Sequence, residues 1–257
     1  MKTMVTGPGN LTPLLRIEPV SGIFVLLCFI GLVASSCAVS PAGTSGLYTA
    51  ASQEGPGQTV YLPATGNGPI IIVLSGATGP RLYDPFAVAL AKEGYYVVLL
   101  DGNDVRRNTK GDETLRRAIE RAQKQPNANP GKVGVVGFSL GGGMALSRAT
   151  EMPELVAVVV VYYPSTSFVS DPGDLVRRLR VPTLMLAGEQ DRYNNCCLIE
   201  IARAIETAAK ERQSTFTLVS YPSAGHAFNL AVPAYRAQDD LDAWKRTVEM
   251  LRQHLRP

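Results

Sequence analysis

The chain has 257 residues, 46% of them hydrophobic and 18% charged, which fits one packed domain and excludes a disordered or fibrous chain. Its formal net charge of +3, from 25 Lys and Arg against 22 Asp and Glu, is too balanced to supply the phosphate contacts of a nucleic-acid partner. The cysteines Cys28, Cys37, Cys196 and Cys197 show no C-x-x-C spacing, so no metal site is expected.

Lys2 and Arg16 precede a compact apolar run, Ile23 to Val33, and no charged residue stands between Pro19 and Gln53. The run is shorter than the ~20 apolar residues of a membrane span and matches a secretory signal. Its end, Ala34-Ser35-Ser36-Cys37, resembles a bacterial lipobox, with Ala34 where lipoproteins usually carry Leu, Val or Ile. That resemblance implies cleavage before Cys37 and lipid attachment to it. The protein would then be exported and anchored by lipid in the cell envelope, on the periplasmic side of the outer membrane in a two-membraned cell. An ordinary cleaved signal and an uncleaved helical anchor are the alternatives. The small and polar residues from Ala38 to Gly46 cannot form a core. Residues 1–36 are therefore read as a signal peptide of lipoprotein type, 37–57 as a tether and 58–257 as the folded domain.

From Gln58 onward, short β-branched runs alternate with amphipathic stretches, the pattern of a mostly parallel sheet with helices on both faces. Gln58 to Leu62, closed by Pro63, reads as a first strand at the sheet edge. Continuous apolar runs at 69–74 and 95–100 read as buried central strands, with a helix over 82–93 between them. Further strands are expected at 133–136, 156–163, 183–186 and 216–219. Helices are expected at 113–125, 142–151, 198–212 and 237–255. No internal repeat or second domain is visible.

Gly137-Phe138-Ser139-Leu140-Gly141 is a G-x-S-x-G element set directly between a strand and a helical stretch. Such a turn holds a serine oxygen clear of the backbone, and the glycines leave room for strand and helix to approach each other. The helix that follows aims its unpaired N–H groups at the same place, so Leu140 N–H is an expected oxyanion donor. A second donor is expected from Ser75-Gly76-Ala77-Thr78-Gly79, after the 69–74 strand, at Ala77. A serine hydroxyl needs a base, and the chain holds two histidines. His254 ends the C-terminal helix, whereas His226 lies in a loop after the last strand, at the carboxyl end of the sheet where such folds bind ligands. The base needs an acid: Asp191, at the carboxyl end of the 183–186 strand, preserves the order serine, acid, histidine. Asp171 is the runner-up and Glu189 follows.

Together with Leu90 to Val98 leading to Asp101, Leu186-Ala187-Gly188 leading to Asp191, Tyr221 with Gly225-His226-Ala227-Phe228, and Ala243-Trp244, these pieces resemble the dienelactone hydrolase family of α/β-hydrolases. The resemblance covers Pro69 to the C-terminus. It implies an α/β-hydrolase without a cap domain that acts, with no cofactor, on small-molecule esters or lactones. The family's name-giving members carry a cysteine at the elbow, where this chain has Ser139. They also carry an acidic residue that restrains the thiol, with no counterpart near Thr78. A carboxylesterase-like serine hydrolase with Ser139, Asp191 and His226 as its triad is the expectation. A peptidase or acyltransferase with the same triad, and a non-catalytic envelope binding protein, are the alternatives.

Three further places stand out. Cys196 and Cys197 read as small apolar residues opening the 198–212 helix, with a bond between them as the alternative. Arg81 and Tyr83 read as solvated helix-opening residues, with an anion-holding role as the alternative. Asp101 reads as a turn-forming residue.

Overall fold

The computed structural model describes residues 47–48, 58–63, 66–107 and 111–255, all within the compact unit that spans Pro41–Pro257. The expected signal peptide, Cys37 and most of the tether lie outside the described residues. Among the described residues no helix is long and apolar enough to cross a membrane.

Among the described residues eight strands form one sheet: β1 (Leu47–Tyr48), β2 (Gln58–Tyr61), β3 (Gly68–Leu74), β4 (Tyr96–Leu100), β5 (Ala128–Phe138), β6 (Val156–Tyr162), β7 (Thr183–Gly188) and β8 (Phe216–Tyr221). The spatial order is β1-β2-β4-β3-β5-β6-β7-β8. Strands β1 and β2 are antiparallel to their neighbours and every later pairing is parallel. The expected mostly parallel sheet is thus present. Leu47 and Tyr48, in the stretch read as tether, pair with Tyr61 and Val60.

Alternate residues of the central strands feed two separate cores, which is why these strands read as unbroken apolar runs. Ile70, Ile72 and Leu74 face one side with Val98, Val135 and Val161. Ile71 and Val73 face the other with Val97, Val136 and Val160. Helices cover both. On the second side lie α1 (Asp84–Lys92) and the C-terminal helix. On the first side lie α2 (Gly102–Arg107), α3 (Gly111–Ala122), α4 (Leu140–Ser147), α5 (Pro172–Arg178) and α6 (Ile199–Glu211), and α7 (Ala237–His254) closes the chain against the second. In α3 the buried residues Leu115, Ala118, Ile119 and Ala122 recur at helical spacing. Burying one Ile such as Ile71 contributes about 1.5–3 kcal/mol, so truncating it to Ala costs about 2–5 kcal/mol once the cavity is included.

Several expected boundaries move. Strand β5 starts at Ala128 rather than Val133, because Ala128 and Asn129 pair with Gly68 and Pro69 before a register shift. The helix expected at 142–151 begins at Leu140 and ends at Ser147. Arg148 leaves helical geometry, and 149–151 forms a separate 3-10 turn. The helix expected over 82–93 is a 3-10 turn, Pro80–Tyr83, followed by α1. Helices α2 and α5 were not expected. Between β6 and β7 the chain carries only α5, so no insertion covers the carboxyl end of the sheet there.

Candidate active site

Ser139 sits at the sharp turn from β5 into α4 with φ 51° and ψ −115°, a conformation that side chains rarely adopt. Its backbone is pinned at three points: its N–H donates to Tyr162 O at 3.0 Å, and its carbonyl accepts from Gly143 N–H at 2.9 Å and Ser165 N–H at 2.8 Å. The flanking glycines are required by contact. A Cβ on Gly141 would lie 2.4 Å from the carbonyl oxygens of Leu74 and Ser75, and one on Gly137 2.5 Å from Gly141 O. Strand β3 and helix α4 therefore meet backbone to backbone beside the serine.

The structure brings the three expected side chains together. His226 Nε2 lies 3.0 Å from Ser139 Oγ, and Nδ1 lies 2.7 Å from Asp191 Oδ2. Asp191 is fully buried, and its other oxygen accepts the Tyr193 N–H at 3.0 Å. A carboxylate accepts only, so Nδ1 carries the histidine proton and Nε2 presents its lone pair to the serine hydroxyl. The loops bearing acid and base are fastened to each other. Glu189 N–H donates to Tyr221 O at 3.0 Å and Gln190 N–H to Ala224 O at 2.9 Å, and Gly188 is so close to Ala224 that a Cβ would sit 2.5 Å from its oxygen.

The competing acids are occupied elsewhere. Asp171 caps α5, accepting from Gly173 N–H at 2.8 Å and Asp174 N–H at 3.2 Å. Glu189 accepts from the Ser220 hydroxyl, which holds its carboxyl below the usual range with help from Arg203. Asp101 is the expected turn former: its Oδ1 accepts the Asn103 N–H and side-chain amide, both at 2.9 Å. Asn103 in turn donates to Ala77 O at 3.0 Å. That contact fixes the loop after β3, where Gly79 N–H closes back on Gly76 O. Leu140 is the first residue of α4, so its N–H has no intrahelical acceptor. Among the described residues the Ala77 N–H has no backbone acceptor either. Gly76 packs close enough to the serine that a Cβ would be 3.4 Å from Ser139 Cβ.

Several neighbours were not legible in the sequence. The Tyr193 ring stacks on His226 at 4.5 Å and 12°, and Tyr163 meets it edge-on at 4.8 Å. Tyr163 donates to Asn229 Oδ1 at 2.7 Å, and burial pushes its hydroxyl well above the ordinary tyrosine range. Tyr83 is not the solvated residue expected: it is 3% exposed, and burial pushes its hydroxyl up to about 12 against a hydrogen bond from the Gly76 backbone. Arg81 is exposed, as expected, and stands at the wall of an apolar cavity of about 710 Å³ between α1 and α7, with Leu82, Phe86, Asn229, Leu241 and Trp244. Cys196 and Cys197 are joined as a disulfide, not the pair of thiols expected, and α6 starts only at Ile199. The Tyr193–Asn195 turn, with Asn194 and Asn195 at positive φ, brings the two sulfurs together ahead of the helix.

The family model described as "Dienelactone hydrolase family" matches residues 99–255. A provisionally named carboxymethylenebutenolidase of Methylorubrum extorquens is 30% identical over 146 residues, covering 54% of this chain and 49% of that protein. The carboxymethylenebutenolidase of Rhodococcus opacus is 26% identical over 214 residues, covering 74% of this chain and 83% of its own. This chain spans about half the length of the Methylorubrum relative. In fold, it is similar to the crystal structure of a provisionally named dienelactone hydrolase of Klebsiella pneumoniae. The TM-score is 0.68 at 22% identity, covering 81% of this chain and 98% of that one.

Proposed function

The chain belongs to the dienelactone hydrolase family, and on that premise we propose that it is a serine hydrolase cleaving small ester or lactone substrates through an acyl-enzyme. The observation that carries the reading is the unbroken hydrogen-bond chain from Asp191 through His226 to Ser139. As Ser139 Oγ attacks the acyl carbonyl, His226 Nε2 takes its proton, and Asp191 stabilises the imidazolium that forms. The unsatisfied N–H groups of Leu140 and Ala77 offset the charge developing on the carbonyl oxygen. His226 then delivers the proton to the departing alkoxide. In a lactone that alkoxide stays tethered to the acyl group. Water repeats the sequence and frees the serine.

The apolar cavity between α1 and α7 suits the hydrocarbon part of such a substrate. Its wall residue Asn229 holds Tyr163, whose ring rests on His226. For the residues outside the described range the reading is export and lipid attachment at Cys37, tested by palmitate incorporation into the wild type and its loss in Cys37→Ala. The hydrolase itself is tested by labelling with a fluorophosphonate. Labelling lost in Ser139→Ala and His226→Ala is expected, and a folded wild type that does not label refutes the mechanism.

A further inference from the structure

We propose that reduction of the Cys196–Cys197 bond turns these cysteines and His226 into a binding site for one soft divalent cation of the Zn2+ class, whose occupancy silences Ser139. The sulfur atoms of Cys196 and Cys197 and a ring nitrogen of His226 all lie within 4.8 Å of one another. A tetrahedral zinc ion with Zn–S near 2.3 Å and Zn–N near 2.0–2.1 Å spaces its donors by about 3.5–3.8 Å. Side-chain shifts on the order of 1 Å therefore complete the set once the sulfurs part.

The backbone around the pair is already held. Thr166 N–H donates to Cys196 O at 2.7 Å, and Cys196 N–H donates to Tyr193 O at 3.0 Å. Tyr193 and Tyr163 clamp the imidazole from two sides. Cys197 is buried and Cys196 half-buried, so the site sits below the surface with one sulfur reachable from it. The donor set is two thiolates and one neutral imidazole, which favours soft ions over Mg2+ or Ca2+ and leaves a fourth position open. With Nε2 as the ligating nitrogen, Asp191, accepting from Nδ1, would be the carboxylate that orients the metal-bound histidine.

Closed as a disulfide, the sulfurs carry no charge and the site does not exist. A phosphine reductant opens it: the S–S bond breaks, the phosphine takes oxygen from water, and two thiols result. Zn2+ then displaces one proton from each thiol as two Zn–S bonds form. The neutral imidazole has a single lone pair, so ligation and removal of the Ser139 proton exclude each other. This inhibition rests on the proposed function, whereas the binding does not.

The test titrates the oxidised protein and the phosphine-reduced, desalted protein with Zn2+ by calorimetry and with Cd2+ by the thiolate-to-cadmium charge-transfer band. One equivalent bound by the reduced protein and none by the oxidised is expected. Affinity should fall in His226→Ala by more than the about 10–100-fold that loss of an outer-shell partner costs, and vanish in Cys196→Ser/Cys197→Ser. Ester hydrolysis by the reduced wild type should be lost with Zn2+ and return with a chelator. No binding after reduction overturns the site, and so does equal inhibition of the oxidised protein. Binding that leaves both the His226→Ala affinity and hydrolysis unchanged overturns the part given to His226. Reduction-dependent binding, weakened in His226→Ala, by a protein that hydrolyses no ester supports the site and overturns only the function proposed above.

Discussion

Replacing Asp191 by Asn keeps shape and burial but changes what each oxygen does. One Asp191 oxygen accepts the Tyr193 N–H and the other the His226 Nδ1–H. Asn has one acceptor for these two donors. If its oxygen stays on Tyr193, its NH2 faces Nδ1, the histidine proton moves to Nε2, and the ring can no longer accept from Ser139. The opposite flip restores the competent tautomer but sets NH2 against the part-buried Tyr193 N–H, which costs about 1–3 kcal/mol. The imidazolium of the transition state also loses its carboxylate, worth about 4 kcal/mol at ~4 Å with an effective dielectric constant near 20. The sum of about 5–7 kcal/mol predicts a fall in kcat/KM between about 10⁴ and 10⁵. Initial rates on p-nitrophenyl acetate, with near-ultraviolet circular dichroism to show an intact fold, measure it. An Asp191→Asn enzyme within tenfold of wild type would show that another group orients His226.

Asp171→Asn should leave esterase rates unchanged, while Asp171→Ala lowers stability by about 0.5–2 kcal/mol in urea titrations, because Asp171 caps α5 and pairs with Arg177 at 4.0 Å rather than serving the triad. Tyr193→Ala removes the ring stacked on His226 and should lower kcat several-fold with KM little changed, whereas Tyr193→Phe keeps the stack and should restore the rate. Filling the α1–α7 cavity with Ala89→Phe should raise KM for octanoate esters far more than for acetates; equal effects would separate the cavity from the substrate. Burial raises the hydroxyls of Tyr83, Tyr162 and Tyr163 above the unfolded value near 10. Their neutral forms therefore favour the folded state. That stability is fully present below pH 10 and is lost above it, by about 1.4 kcal/mol per pH unit for each buried tyrosine. Urea midpoints measured from pH 8 to pH 11 should be flat and then fall, and Tyr162→Phe should lessen the slope.

Much of the fold was legible because burial on both faces writes itself as runs such as Ile70 to Leu74. Ser139 was legible because Gly137 and Gly141 stand where backbone contacts forbid a side chain. His226 and Asp191 followed from chain order at strand ends. The start of β5 was hidden because Asn129-Pro130-Gly131 spells a turn, although the first of these pairs in the sheet. Helix α5 was hidden behind Pro172 and Gly173, yet Asp171 before a proline at the first turn is a capping signal that could have found it. Tyr193, Tyr163 and the state of the cysteines could not be read from spacing. Their roles arise where the loop after β7 crosses the loops after β6 and β8, and such contacts leave no periodic trace.

The hydrogen bonds that fasten the β7 loop to the β8 loop divide the machinery into two mountings. Acid and base ride together on the outer strands, while the nucleophile stands on β5 in the middle of the sheet. Flexing between those mountings would stretch the serine–histidine contact before the histidine–aspartate one, against the loop after β6, whose Ser165 N–H donates to Ser139 O and whose Thr166 N–H donates to Cys196 O. Amide exchange should accordingly group 188–191 with 221–224 as one opening unit, distinct from the turn at Ser139.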